Sequence, residues 1–459
     1  MAAVYVTQVL SALDQTIVGT ALPKIVAQLH GEELYAWVFS AYHLGGTATV
    51  TVVGKFSDLF GRKRIVLLSV ALFSLGSMLC GASQSMLAMV LFRAVQGVGA
   101  GGVIISALAI VGDLFTPRER AKWQSVNSLA FATASAIGPA VGGFVSDTWS
   151  WRWIFYLNMP LAVAALLALT FALPPLQTDR RPFVDWRGAA LAISGVLCLM
   201  LALTWGGRQF AWLSPPILAL LAVAAGAGLS FGRVERAAKE PIVPPGLLRG
   251  PVVPFCCIGM FTMGLVWFGM ILLGPLFLQD VLGLSATRSG GDLTPAVVLS
   301  GGASGLAGWV ISRSGRCKPT LIAGALTTLA GVAWLLAVDP SSSELSVDGA
   351  LILVGLGIGW VIVPFILALQ NAVPPSQQGV TMGVMSLFRQ TGATLGTTML
   401  SVFVSGSVAE LAPEELSQAI HAGLWVLFGA SLLMVLMTLL VRDVPLRGKA
   451  ALQPAQAAS

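Results

Sequence analysis

Fourteen apolar stretches, separated by short polar segments, follow one another from one end of the chain to the other. Each is long enough for a helix that crosses the apolar part of a bilayer, which takes about 20 residues. They lie near residues 2–23, 35–53, 65–82, 86–111, 124–146, 152–173, 188–205, 216–232, 253–278, 290–311, 319–338, 349–370, 380–406 and 420–441. The pattern predicts an all-α integral membrane protein of about 14 transmembrane helices.

The composition agrees with a chain that lies almost entirely in the bilayer. Hydrophobic residues make up 56% of the sequence and charged residues 10%, whereas soluble domains carry about 25% charged residues. Function must therefore reside within the helix bundle. The five cysteines are odd in number and mostly lie in apolar stretches, so they suggest no disulfide framework and no metal site.

Basic residues are concentrated in every second loop, and this accounts for the net charge of +6. Arg62, Lys63 and Arg64 form one such group. By the positive-inside rule these loops are cytoplasmic, which predicts cytoplasmic termini and a multi-pass protein of the plasma membrane, taken to be a bacterial inner membrane. The charge needs no nucleic-acid partner. We expect a monomer that interacts with the lipid bilayer.

Asp14 lies inside the first apolar stretch, where an ionised carboxylate costs roughly 2.5–3.5 kcal/mol. Arg93 also lies inside an apolar stretch and is a permanent positive charge. We expect Arg93 to face Asp14 and Gln96. A static pair that only fixes helix packing is the alternative, but burying charges is a poor way to gain stability. The pattern favours Asp14 as a proton carrier that works with Arg93.

The two ends of the sequence repeat each other. The segment from Gly54 to Gly61 has the same glycine spacing as that from Gly308 to Gly315, and the run Gly97–Gly99 parallels Gly355–Gly357. Such repeats predict two homologous six-helix halves with two helices inserted between them. The predicted domains are a first bundle (1–175), a linker with two additional transmembrane helices (176–250), a second bundle (251–445) and a disordered cytoplasmic tail (446–459).

Several segments resemble motifs of a known transporter family. The segment from Gly54 to Arg64 resembles the loop between helices two and three of the major facilitator superfamily, although Leu59 stands where that loop usually has an arginine. Segments 13–23, 91–99 and 138–143 resemble the first-, fourth- and fifth-helix motifs of its fourteen-helix drug:proton antiporter branch. The resemblance implies the major-facilitator fold and transport of small molecules.

The resemblance also implies roles for two groups of residues. In the basic loop, Asp58 could reach the positive N-terminal end of a helix in the other half. The predicted cytoplasmic gate consists of Gly54, Asp58, Gly61, Arg62, Lys63 and Arg64. The predicted antiporter motif, which would let helices five and eight of the facilitator scheme pack closely, consists of Gly138, Pro139, Gly142 and Gly143. The alternatives are a loop that only sets topology and an ordinary stripe of small residues.

A substrate cavity between the halves is predicted from aromatic, polar and Met side chains in the apolar stretches. Its candidate residues are Gln96, Tyr42, Phe131, Trp267, Met270 and Arg389. Arg389 could pair with a substrate anion or with Asp292, or be a structural arginine. Aromatic and Met residues also fill every membrane core. For His43 we expect a hydrogen-bonded imidazole facing the bundle.

The energy source is inferred from what the chain lacks. It has no G-x4-G-K-[ST] phosphate loop and no grouping of nucleophile and base, so we expect neither an enzyme nor a cofactor. A proton gradient remains. The sequence thus predicts a proton-coupled efflux transporter for amphiphilic or cationic small molecules, which alternates access to a central cavity. A dedicated exporter of one metabolite, antibiotic or lipid, uptake by symport, and a non-transporting membrane scaffold are the alternatives.

Overall fold

The fold is a bundle of long helices. The computed structural model describes residues 2–31, 34–173, 185–207, 209–238, 240–244, 246–284, 286–339, 342–404 and 413–442. Its helices are α1 (Ala2–Leu29), α2 (Tyr35–Phe60), α3 (Arg62–Gly81), α4 (Met86–Leu114), α5 (Pro117–Thr148), α6 (Trp151–Tyr156), α7 (Asn158–Ala172), α8 (Trp186–Trp205), α9 (Pro215–Ala237), α10 (Val253–Leu276), α11 (Ala286–Ser314), α12 (Lys318–Leu336), α13 (Glu344–Ala372), α14 (Gln378–Val404) and α15 (Pro413–Leu440).

Every apolar stretch coincides with a helix, except that the sixth is divided at Leu157 into α6 and α7. Ten helices of the described chain are long and apolar enough to cross a membrane. Most helices extend beyond the apolar runs into polar residues, and some of these ends are capped by side chains. At α5, for instance, Thr116 and Glu119 form a capping box with Pro117 in the first turn. The predicted all-α membrane fold is confirmed.

Helices α1–α7, here called the first half, and helices α10–α15, the second half, pack by the same scheme. In the first half α2 and α3 both pack on α4, and in the second half α11 and α12 both pack on α13. Glycines make these contacts close. Gly97 faces Tyr42 of α2 and Gly99 faces Phe73 of α3, while Gly355 and Gly357 face α11 and α12 in the same way. The sequence repeat is therefore a repeat of helix packing.

The two halves touch along two lines, α5 against α11 and α2 against α14. The closest approaches lie near the loop from Gly54 to Arg64, and we call this end of the molecule the basic end. There, the backbones of Gly54 and Gly379 are in contact, and Gly308 lies against Ser125 and Ala121 of α5. Farther along the same helices, a Cβ added at Gly143 or Gly302 would meet no atom within 4 Å. The close contacts that glycines make between the halves, including that of Gly383 with Thr51, lie at the basic end.

Helices α8 and α9 form a hairpin that packs along α2. Ala189 of α8 lies in one cluster with Val52, and Trp205 contacts Trp37 with the ring centroids 5.6 Å apart. The hairpin also reaches the second half, where the Thr394 hydroxyl donates to the Met200 sulfur at 3.8 Å. The two additional helices are therefore attached mainly to the first half. Residues 174–184 and the predicted tail lie outside the described residues, so the domain boundaries stay a prediction.

Candidate functional site

Asp14 and Arg93 form an ion pair in the interior of the first half. Nη1 of Arg93 lies 2.6 Å from Oδ2 of Asp14, and both side chains are fully buried. Asp14 is near the middle of α1, and Arg93 is in the second turn of α4. The structure thus brings together the two charged residues that the sequence singled out.

Two amides complete the surroundings of the Asp14 carboxylate. Nε2 of Gln96 donates to Oδ1 of Asp14 at 2.8 Å, and Nδ2 of Asn158 donates to the same oxygen at 3.1 Å. Asn158 also donates to the Ser77 hydroxyl at 2.9 Å. Because hydrogen bonds to a charged acceptor are strong, these donors hold the Asp14 carboxylate in place. They also connect α1 to α3, α4 and α7.

Sequence reasoning assigned no role to Asn158. The residue begins α7 directly after the break at Leu157, and it is 4% exposed. An amide in the middle of an apolar stretch was the available signal, since a buried polar side chain needs a partner. Nothing in the sequence indicates that this partner is Asp14.

Arg93 is held by several groups besides Asp14. Its Nε donates to the carbonyl of Val38 at 3.2 Å, and its Nη1 donates to Oε1 of Gln96 at 2.9 Å. The guanidinium lies 4.2 Å from the ring centroid of Tyr42, which is a favourable cation–π position. Nη2 has no hydrogen-bond partner among the described residues. Tyr42 and Gln96, which we predicted in the substrate cavity, therefore belong to this buried network.

Protonation of Asp14 would change the whole network. The neutral acid no longer balances the charge of Arg93, which cannot lose its own proton in compensation. A buried charge left without its partner costs about 3–5 kcal/mol. Helices α1, α4 and α7 would therefore favour a different arrangement when the proton is bound. The geometry can convert a proton into a change of helix packing.

A second group of charged residues joins the halves at the basic end. The carboxylate of Asp58 accepts hydrogen bonds from the backbone N–H groups of Gly379 (3.0 Å) and Val380 (2.9 Å), in the first turn of α14. A helix N-terminus carries a partial positive charge, so it attracts this carboxylate. Asp58 of the first half is thus bound to the second half.

Arg62 is the centre of that group. It pairs with Asp58, its Nε donates to Oδ2 of Asp113 at 2.7 Å, and one Nη donates to the carbonyl of Pro375 at 3.0 Å. Asp113 lies at the end of α4 and was not among the predicted residues. A carboxylate at the end of an apolar stretch was its only signal.

Of the other gate candidates, Gly54 also joins the halves through its contact with Gly379, whereas no contact of Gly61, Lys63 or Arg64 with the second half is found among the described residues. Lys63 donates to the carbonyls of Thr170 (2.6 Å) and Leu173 (2.7 Å), which end α7 of the same half. Arg64 is exposed. Gly61, with φ of 90°, makes the turn between α2 and α3, a conformation that favours glycine. Of the three basic residues that we expected at the interface, Arg62 alone contacts the second half among the described residues.

The predicted antiporter motif faces a helix other than the one expected. A Cβ at Gly138 would collide with the side chain of Thr16, so this glycine lets α5 pack on α1. Gly142 is buried, and Gly143 has open space around it. The side chain of Pro139 lies outside the described residues. The close packing of α5 on α11, which we assigned to this motif, is found instead at Gly308.

The cavity candidates of the second half lie in different surroundings. Met270 is 1% exposed and packs in the core of that half with Leu335 and Leu424, and Trp267 is partly buried against the same core. The structure does not bring Met270 to the space between the halves, because its position on α10 faces α12 and α15. The side chain of Phe131 lies outside the described residues.

Arg389 and Asp292 do not pair. Arg389 is partly exposed in the middle of α14, and no ion pair or hydrogen bond to it is found in the described chain. Asp292 is at the opposite end from the basic end, near Glu344 and Asp348. Arg288 already binds Glu344 there, with a distance of 2.6 Å from Nη2 to Oε2.

The environment of His43 differs from the one expected. The imidazole is exposed, although its neighbours Tyr42 and Leu44 are buried, and its ring meets the Tyr42 ring edge-on with the centroids 5.5 Å apart. No hydrogen bond to it is found among the described residues. His43 lies three turns before Gly54 on the same face of α2, and Gly54 contacts Gly379 of α14, so His43 is on the face that points toward the second half.

Comparison with known proteins identifies the family. Residues 4–397 match the family model described as Major Facilitator Superfamily. The chain belongs to this superfamily. As a superfamily member it is a multi-pass membrane transporter, and its repeated halves fit that fold.

Two curated relatives of this superfamily member are multidrug transporters of Bacillus subtilis. The multidrug transporter protein MdtP is 36% identical over 406 residues, which cover 88% of this chain and 75% of MdtP. Multidrug resistance protein 3 is 32% identical over 390 residues, which cover 85% of this chain and 76% of that protein. Among solved structures, a double-tryptophan mutant of XylE superposes with a TM-score of 0.71 at 13% identity, covering 97% of this chain and 96% of the XylE chain. That likeness shows the fold.

Proposed function

We propose that the protein exports amphiphilic small molecules in exchange for protons. The buried Asp14–Arg93 pair is the observation that supports the proposal. Burying a carboxylate in a membrane helix costs free energy, and such residues commonly serve as proton carriers. The multidrug names of two relatives support export of diverse compounds. The energy would come from the proton gradient, without a cofactor, and the protein would transport rather than catalyse.

The contacts at the basic end would work as a latch. If the basic loops are cytoplasmic, as the positive-inside rule predicts, the Asp58–α14 contact and the Arg62 group close the cytoplasmic side in this conformation. Release of substrate on the other side would be followed by proton binding at Asp14. The changed packing of α1, α4 and α7 would then favour opening of the cytoplasmic side. The protein would lie in the plasma membrane with both termini cytoplasmic.

The decisive experiment uses proteoliposomes with an imposed pH gradient and a panel of structurally unrelated amphiphiles. Asp14→Asn should abolish gradient-driven transport, while Asp147→Asn, which removes an exposed carboxylate paired with Lys24, should transport like the parent. Equal responses of the parent and Asp14→Asn would contradict the proposal. Transport of a single compound from the panel would instead favour a dedicated exporter.

A further inference from the structure

Arg389 is a positive charge in the middle of α14, the helix that covers most of the predicted span 380–406. It is the twelfth of the 27 residues of α14, which places it roughly 16 Å from the first residue of the helix at 1.5 Å per residue. It is partly exposed, and within the described chain it has neither an ion pair nor a hydrogen bond. Charged side chains at this depth usually face a bundle interior or a water-filled cavity.

The neighbouring half shows which space Arg389 faces. Gly54 meets Gly379 and Thr51 meets Gly383, so α2 and α14 run antiparallel along each other, and the same register places His43 of α2 opposite the turn of α14 that contains Arg389. His43 is itself exposed, although Tyr42 and Leu44 beside it are buried. Since α2 and α14 come from different halves and both side chains keep exposed surface, any space between the halves at this level is bordered by Arg389 and His43.

No described carboxylate is available in that space to balance the charge. Asp14 is 1% exposed, and Arg93, Gln96 and Asn158 already occupy its oxygens. The other described carboxylates of the spans lie toward the helix ends. They are Asp58, Asp113, Glu119, Asp185 and Glu235 toward the basic end, and Asp147, Asp292, Glu344 and Asp348 toward the opposite end. The middle of the space is therefore electropositive.

We propose that this space binds amphiphiles with an anionic head group, and that Arg389 holds the anion. A guanidinium binds carboxylate or sulfonate oxygens through two parallel hydrogen bonds, and His43 supplies a second polar contact. Leu387 and Phe388 precede Arg389 on α14 and pack partly buried against the core of the second half, and their exposed part offers apolar surface to the remainder of the ligand. This inference rests on the proposed export function and narrows it from amphiphiles in general to anionic ones.

A lipophilic cation fits the described residues less well. Arg389 would repel it, and the acid that could attract it is enclosed by three donors. The sign of the ligand's charge therefore distinguishes the two classes directly.

The test compares two ligands that differ in the sign of their charge. Binding of 2-naphthylacetate and of (2-naphthylmethyl)trimethylammonium to the purified full-length chain in nanodiscs is measured by isothermal titration calorimetry. We expect the parent to bind the anion at least tenfold more tightly than the cation. Comparable affinities, or a preference for the cation, would overturn the proposal.

Variants then assign the effect to Arg389. Arg389→Gln should weaken anion binding about tenfold or more, which is the usual size for a lost hydrogen bond to a charged group, and should leave cation binding unchanged or improved. Arg389→Lys should restore part of the anion affinity. Arg316→Gln removes an exposed arginine at the basic end and should behave like the parent. If Arg389→Gln weakens both ligands equally while its thermal unfolding matches the parent, the anion site is refuted.

Transport of the same two compounds keeps this proposal separate from the proposed function. Gradient-driven export that ignores the charge of the ligand would refute the anion site and leave proton-driven efflux standing. Charge-selective binding without any gradient-driven movement would refute the efflux proposal and leave the binding site standing.

Discussion

The side-chain amide of Asn158 donates a hydrogen bond to Asp14 at 3.1 Å and thereby ties α7 to α1. Because a hydrogen bond to a charged acceptor contributes about 1.5–3 kcal/mol, Asn158→Ala should weaken the attachment of α7 to Asp14 and lower gradient-driven transport in proteoliposomes about tenfold. Ser77→Ala removes a partner of Asn158 that does not touch Asp14, so its loss of transport should be smaller. Equal transport by the parent and Asn158→Ala would exclude this positioning role.

The Asp14–Arg93 pair should show strong coupling in a double-mutant cycle. Asp14→Asn and Arg93→Gln each leave one buried charge or polar group without its partner, and breaking such a pair costs about 3–5 kcal/mol. The double variant removes both charges and should be more stable than the sum of the two effects predicts. The free energy of unfolding of each variant is measured in detergent. Additive losses would mean that the pair contributes no interaction energy.

Asp58→Asn should weaken the contact between the halves at the basic end. The variant loses the charge that faces the N-terminus of α14 and the partner of Arg62, so the basic end should open more often. Spin labels placed across that end would report a longer distance. Arg64→Gln changes an exposed residue of the same loop and is the matched control. A distance distribution that is unchanged in Asp58→Asn would show that the bond does not hold the halves together.

Gly54→Ala should prevent the closest approach of α2 and α14. The added methyl group would collide with the backbone carbonyl of Gly379, and backbone cannot move aside as a flexible side chain does. Transport should fall strongly and the basic end should stay open. Gly302→Ala introduces the same methyl group where no atom lies within 4 Å, and it should be neutral. Full activity of Gly54→Ala would indicate that the halves do not need this contact.

The hairpin of α8 and α9 should move with the first half. Met200→Cys combined with Thr394→Cys, joined by a short bifunctional thiol reagent, should fix α8 to α14 and stop transport. Leu44→Cys combined with Leu203→Cys, which joins α8 to α2 within one cluster, should leave transport intact. The reverse result would attach the hairpin to the second half.

The helices could be predicted because each is specified by its own stretch of sequence. The central ion pair could be predicted because an unpaired charge in a membrane helix costs much free energy. A span of apolar residues defines a membrane helix by length, and a charge within it must find a partner, so Asp14 and Arg93 pointed to each other. Asn158 and Asp113 were missed, because an amide inside an apolar stretch and an acid at the end of one are both common, and their partners are set by tertiary packing. The sequence was least informative about which neighbouring helix a given side chain faces.

Gly138 and Met270 illustrate that weakness. A glycine at α5 is equally suited to pack on α1 or α11, and only the rotation of the helix decides that Gly138 meets Thr16. A Met in an apolar span suits a cavity wall or a core, and the position of α10 puts Met270 in the core. Helix rotation follows from contacts distant in sequence, which a single sequence does not display.

The described bonds of the Asp14 carboxylate all come from helices of the first half. A transported molecule bound at α14 would therefore not compete with a proton for the carboxylate oxygens of Asp14. Exchange of one for the other would have to be enforced mechanically, by two rigid bodies whose rocking is permitted in some occupancy states and blocked in the rest.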